Sequence, residues 1–438
     1  MNNQTVKFPF RTVLCGLFPV FLTHSALAAT LCVNPAGSAG CYAKIGAAVS
    51  AAGANDTINI GAGTYSEGVV LNKPLALIGA GSGATIINAK GQPNGIYIDG
   101  LDNPGMTGLL ITGLAVMNAN FEGILVTNAS YLVISENHVT GNNQSLDVSS
   151  GTCPGVPVFE TNEGQDCGEG IHLMGVDHAT VAQNESDLNS GGILLTDETG
   201  YNHDNLIVGN NVHDNPFACG ITMASHPPSP KATSKVPYGV FDNTVTGNTS
   251  ENNGLGVPGA GAGVGVFAAG PGNLSFGNKI IGNVLRNNGL PGVTIHNHAA
   301  PPGAPAINLN DNVIAGNTIS GNAADTADAA TPGTTGINIY SMAPVYGTII
   351  DGNTIEDEAE GVVINAPGST QVHLNNLLAG TDGVLNLGKS AISATQNYWG
   401  CAGGPGTTGC ALATGPSVTS VAPLPALATS APTALLSQ

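Results

Sequence analysis

Leu206-Ile-Val-Gly-Asn-Asn-Val212, Ile280-Ile-Gly-Asn-Val284, Val313-Ile-Ala-Gly-Asn-Thr-Ile319 and Ile349-Ile-Asp-Gly-Asn-Thr-Ile355 are copies of one unit. Each reads as a short apolar strand, a Gly-Asn turn and a second apolar strand, after which a polar turn leads to a glycine that opens a third, alternating strand. Equivalent asparagines are Asn137, Asn184, Asn210, Asn248, Asn283, Asn317, Asn353, Asn376 and Asn397. Their shortest separations, 21 to 26 residues, define one coil, and the longer ones contain inserts. A coil of that size cannot bury its inner face alone and must stack on its neighbours, rising by ~4.8 Å each time. Asparagines at one point of the coil can then bond amide to amide in a ladder, and Asn also tolerates left-handed turn backbone. Ladder and turn therefore take precedence over catalysis for these residues. About eleven or twelve coils are expected in a single domain.

Working outward, Lys44 to Gly53 puts Ile45, Val49 and Ala52 on one helical face, a short helix that would cap the first coil. Strands Thr57-Ile-Asn-Ile60 and Leu75-Ala-Leu-Ile-Gly79 follow it. At the far end the one tryptophan, Trp399, closes the repeat, and residues 413–438 read as a flexible tail rich in Ala, Ser, Thr and Pro. Residues 1–28 have the order of a secretory signal peptide: Lys7 and Arg11, an apolar run, then Ala26-Leu27-Ala28. The solenoid is expected to occupy residues 29–412. An exported protein, extracellular, periplasmic or on the cell surface, is the expectation, with no membrane insertion because no later run reaches ~20 apolar residues.

A formal charge of −19 with 29 acidic and ten basic residues excludes nucleic acid as partner. With 42% hydrophobic and only 9% charged residues, the chain is too apolar for disorder. Six cysteines fall into close pairs, Cys32 with Cys41, Cys153 with Cys167 and Cys401 with Cys410, which an oxidising compartment would join. Cys219 stands alone beside Gly220 and reads as a buried thiol.

Ile45-Gly-Ala-Ala-Val-Ser-Ala-Ala, Gly63-Thr-Tyr-Ser-Glu, Asn72-Lys-Pro-Leu-Ala-Leu-Ile-Gly, the Gly-Asn coils and Asn397-Tyr-Trp-Gly together resemble right-handed parallel β-helix proteins of the pectin lyase-like superfamily. The resemblance covers about residues 32 to 410. It implies an all-β, single-stranded right-handed parallel β-helix and leaves the activity open, since that superfamily holds lyases, hydrolases, esterases, epimerases and proteins of no known reaction. The polygalacturonase pattern is missing, with no Asp-Asp dipeptide and no Gly-His-Gly. The arginine base of pectate lyases has no clear counterpart, because beyond the leader Arg286 is the only arginine and it sits in a turn.

Histidine carries the remaining signal. Counting from the strand-opening glycines Gly170, Gly192, Gly220 and Gly292, His172 lies two residues on and His296 four. Asp197 lies five on, and Glu198, His226 and His298 six. Outward positions near one strand end thus combine acids and imidazoles, and His203-Asp204 opens the next strand. An imidazole tuned by a carboxylate suits proton abstraction from C5 of a uronate. The expected site has His203, His226, Asp197 and Glu198 in catalysis. His172, His296, His298, Lys231 and Lys235 would bind substrate, the lysines neutralising its carboxylate. His213-Asp214 is assigned to a turn. Pro- and Gly-rich inserts at His226 to Pro237 and Asn143 to Gly168 would wall a groove. A polysaccharide lyase or epimerase acting as a monomer on an extracellular glycan is the leading expectation, and a non-catalytic glycan-binding, adhesive or structural surface protein is the alternative. No cofactor or metal site is fixed by the sequence, and Ca2+ is the cation left open as a bridge between acidic protein and acidic glycan.

Overall fold

The computed structural model describes residues 28–160, 167–297, 299–327 and 331–427. The expected signal peptide lies outside them up to residue 27, as do His298 and residues 428–438. Three long sheets, of 14, 11 and 12 strands, run the length of a right-handed parallel β-helix. The first begins at Thr30–Val33, the second at Gly63–Tyr65 and the third at Val69–Leu71. In each sheet strands follow in chain order and every pairing is parallel, for example Ile207 beside Val245 and Val245 beside Ile280. Alternation does the rest: Ile207, Val245, Ile280, Ile314 and Ile350 point into one continuous core while their neighbours face out.

The capping helix is Ile45–Ala51, with Ile45, Ala48 and Val49 buried. Its N-terminus is closed from a distance: the Glu67 carboxylate accepts the backbone N–H groups of Ile45 and Gly46 at 2.8 and 3.0 Å, satisfying donors a short helix cannot pair internally. At the other end Trp399 is fully buried. No helix among the described residues is long and apolar enough to cross a membrane.

The asparagine ladder is present with one correction. It runs Asn137, Asn184, Asn210, Asn248, Asn283, Asn317, Asn353, Asn375, Asn397, each side-chain amide donating to the next side-chain oxygen at 2.9–3.0 Å. Asn375 takes the place expected of Asn376, which instead begins the strand Asn376–Leu378. The reason is the residue before: Gly209, Gly247, Gly282, Gly316, Gly352 and, in the outer coils, Glu136, Gln183, Leu374 and Gln396 all have φ between 55° and 67°. The left-handed position is thus the one preceding each ladder asparagine, and the asparagine serves the ladder alone. Two further ladders accompany it. One runs from Asn142 through Asn189, Asn215, Asn253, Asn288 and Asn322 to Glu358. The other runs Asn205, Asn243, Asn278, Asn312.

All three disulfides form in the expected pairs, and Cys219 is buried outside them, its sulfur accepting the Ala262 N–H at 3.2 Å. The segment expected to be a flexible tail is ordered at its start. Leu412–Thr414 pairs with the third sheet and Val418–Thr419 with the first, because the strand edges of the last coil offer unpaired backbone groups.

Candidate functional site

The third sheet carries most of the expected site. Its register confirms the glycine alignment: Leu194 lies between His172 and Thr222, and Thr196 between Met174 and Ala224. Glu198 and His226, two residues beyond the paired Thr196 and Ala224, consequently meet, with Nδ1 of His226 3.1 Å from the Glu198 carboxylate. His172 bonds through Nε2 to the Thr196 hydroxyl at 2.8 Å and lies 3.8 Å from Glu122 and 3.6 Å from Glu160. His296 packs between Phe267 and Tyr340 and faces Asp325 at 3.6 Å.

What alignment could not show is that this strip is covered. The inserts lie over Glu198 and His172 rather than beside them, and Asp197, Glu198, His172, His226 and His296 are all at most 3% exposed. Ser229 of one insert donates its N–H to the Glu198 carbonyl, and Glu160 of the other reaches His172. Asp197 acts inside this cover as a structural acceptor, receiving the Ser225 hydroxyl at 2.9 Å and the N–H groups of His226 and Gly239 at 2.7 and 2.6 Å. Burial, with the Glu198 charge beside it, pushes its carboxyl up to about 6. Burial opposes ionisation of Glu198 too, yet the His226 imidazole outweighs it and holds that carboxyl below its usual range. Lys231 is committed to Asp102 at 3.0 Å and lies 5.5 Å over the Phe159 ring, while Lys235 is exposed.

His203 sits elsewhere. It belongs to a narrow three-stranded ladder, Asn202–His203, Val240–Phe241 and Ser275–Phe276, at the turn between the third and first sheets. Its Nδ1 is 2.7 Å from Asp204, and its ring stacks on Phe241 at 4.9 Å, Phe241 in turn on Phe276 at 5.1 Å. One coil earlier His178 repeats the pattern, 2.7 Å from Asp177 and stacked on Tyr131 at 4.5 Å. Tyr201 meets Tyr238 and Phe241 edge-on. The ring faces form an open aromatic strip, with Tyr131 and Tyr201 61% and 56% exposed.

Beside the strip lies a cavity of about 480 Å³ lined by Asp204, Asn205, Leu206, Asp242, Thr244, Thr246 and Lys279. Asp204 and Asp242 occupy the left-handed position before Asn205 and Asn243, both at φ 55°, so the third asparagine ladder sets them on adjacent coils. Burial raises the Asp242 carboxyl above its usual range, Asp204 adds to this, and Lys279 and His203 work against it. Asp242 and Lys279 were missed from sequence. The available signal was Asp-Asn recurring in register as Asp204-Asn205, Asp242-Asn243 and Asp311-Asn312. His213-Asp214 forms the expected turn pair at 2.8 Å, and Arg286 pairs with Glu251 on the neighbouring strand.

With parallel sheets, inward alternation and stacked turns in place, the chain is a right-handed parallel β-helix protein, and the family of the right-handed β-helix region matches residues 76–236. No curated protein sequence matches it. Among solved structures it is similar to an alginate lyase from Paenibacillus sp. str. FPU-7, with 14% identity and a TM-score of 0.45 over 78% of this chain and 99% of the other. The A-module of mannuronan C-5 epimerase AlgE6 from Azotobacter vinelandii gives 17% and 0.45, over 78% and 93%. The catalytic unit of an α-1,3-glucanase from Streptomyces thermodiastaticus strain HF3-3 gives 16% and 0.46, over 87% and 66%. At these identities the likeness is one of fold.

Proposed function

We propose that this protein is an exported carbohydrate-active enzyme of lyase or epimerase type, with its reaction centre at His203, Asp204, Asp242 and Lys279. The observation carrying this reading is the His203–Asp204 pair opening beside a cavity that also holds a carboxyl with a raised pKa and an amine. Asp204 bonded at Nδ1 leaves Nε2 of His203 as the basic atom. In the proposed step Nε2 takes the proton from C5 of a uronate, and the electron pair moves into the substrate carboxylate, whose charge Lys279 balances. Asp242, which holds its proton more tightly than an ordinary aspartate, supplies a proton to the departing glycosidic oxygen. Reprotonation of C5 from the opposite face would instead invert the sugar. The aromatic strip offers apolar faces on which sugar rings can stack, and three disulfides suit an oxidising compartment outside the cytoplasm. Glu198, His226 and His172 lie under the inserts and are left out of the chemistry.

The test is a screen of uronic-acid polymers for unsaturated ends and for inverted residues. Activity should fall by about 10²-fold in His203→Ala. The strip alone also favours a second reading, a glycan-binding surface without turnover: binding that persists in Tyr201-containing protein, is lost in Tyr201→Ala, and comes with no product on any polymer would select it.

A further inference from the structure

Under the insert of residues 143–160, three segments bring together Glu122, Glu160 and His172, each offering a ligand atom within 4.8 Å of the others. All three are more than nine-tenths buried. Among the described residues, Glu122 Oε2, both Glu160 oxygens and His172 Nδ1 have no hydrogen-bond partner. Burying carboxylate and imidazole atoms without a partner is strongly unfavourable. From these unmatched atoms we infer that the cluster is a binding site for one divalent cation of the zinc class.

The distances discriminate. His172 Nδ1 stands 3.6 and 3.8 Å from the two carboxylates, too far for a hydrogen bond. Ligands at ~2.1 Å around a tetrahedral Zn2+ lie about 3.4 Å from one another, so a small inward shift seats the ion. Two carboxylates match its charge, and one imidazole with two oxygens favours Zn2+, Co2+ or Mn2+ over Ca2+. Supporting contacts are already made. Thr196 bonds Nε2 of His172, fixing Nδ1 as the ligating atom, and Gly168 donates its N–H to Glu122 Oε1 at 3.2 Å. The ion would pin the Cys153–Cys167 insert to the coils beneath it.

The test uses the full disulfide-bonded protein, stripped with a chelator and then equilibrated with Zn2+ or Co2+ alone. Bound metal is counted by mass spectrometry, with visible Co2+ absorption and Tm as further readouts. The inference expects one equivalent retained through gel filtration, a Tm that rises on loading, and a Co2+ spectrum of low-coordinate type. Glu160→Gln should lose that equivalent and the Tm rise while keeping the metal-free Tm. His203→Asn, in the exposed His178–His203–Asp204 cluster, should keep both. Wild-type protein that retains neither ion would overturn the inference, as would Glu160→Gln protein that retains as much as wild type.

Discussion

His203 and His226 were equivalent in the sequence, and their surroundings separate them. The His203 side chain is 25% exposed and leans on Phe241, so His203→Ala should cut turnover by about 10²-fold with little change in Tm. His226 is buried against Glu198, and His226→Ala leaves that carboxylate without its counter-charge. A loss of about 3 to 5 kcal/mol in denaturant unfolding is expected, in place of the neutral effect that an outward-facing histidine would give. Counting from the strand-opening glycines was enough to pair Glu198 with His226, because register in a parallel stack follows from spacing. It could not reveal the cover, since an insert's path over or beside a strip depends on contacts such as Ser229 to Glu198 that no periodicity encodes.

At the scale of the element, the ladders divide stability along the rod. Asn248 donates to Asn283 and to the Ile207 carbonyl, and accepts from the Asn210 backbone and side chain. Asn248→Ala should therefore cost at least about 3 kcal/mol by chemical denaturation, because buried groups on both neighbouring coils lose a partner. Glu358 ends the second ladder, accepting both the backbone and the amide N–H of Asn322, and burial pushes its carboxyl up to about 7. The folded protein then keeps a proton that the unfolded chain releases above its usual 4.5, so this residue's contribution falls as pH rises from about 4.5 to 7. Glu358→Gln should match wild type in Tm near pH 4 and exceed it near pH 8. A Tm difference unchanged between the two pH values would refute the assignment. The main ladder was legible through its Gly-Asn signature and the third offered a shorter Asp-Asn recurrence, whereas the second was hidden because the residues before it vary, from Gly141 and Leu188 to Asp214 and Asn252.

For the molecule as a whole, the repeat decided the fold and the ends needed separate signals. Cys32–Cys41 and Cys401–Cys410 close short loops near the two termini of the stack, where a solenoid has fewest neighbours. Replacing either pair by alanine should lower stability by about 2 to 4 kcal/mol and shift amide exchange first in the adjoining coil. Leu412–Thr414 and Val418–Thr419 lack the Gly-Asn signature; they add strands to two sheets without starting a new turn of the repeat. Composition argues against nucleic acid and disorder but points to no site; the reaction centre we propose is built from two coils of ordinary Asp-Asn turns and one lysine, which line one cavity.

His203 is proposed to remove a proton from a uronate carbon. Incubating the protein in D2O with uronic-acid polymers, and reading C5 deuteration by NMR, tests it for lyase and epimerase alike. Deuterium at C5 or an unsaturated product is expected with at least one polymer, reduced about 10²-fold in His203→Ala. Turnover undiminished in His203→Ala, or no exchange with any uronate, would contradict it.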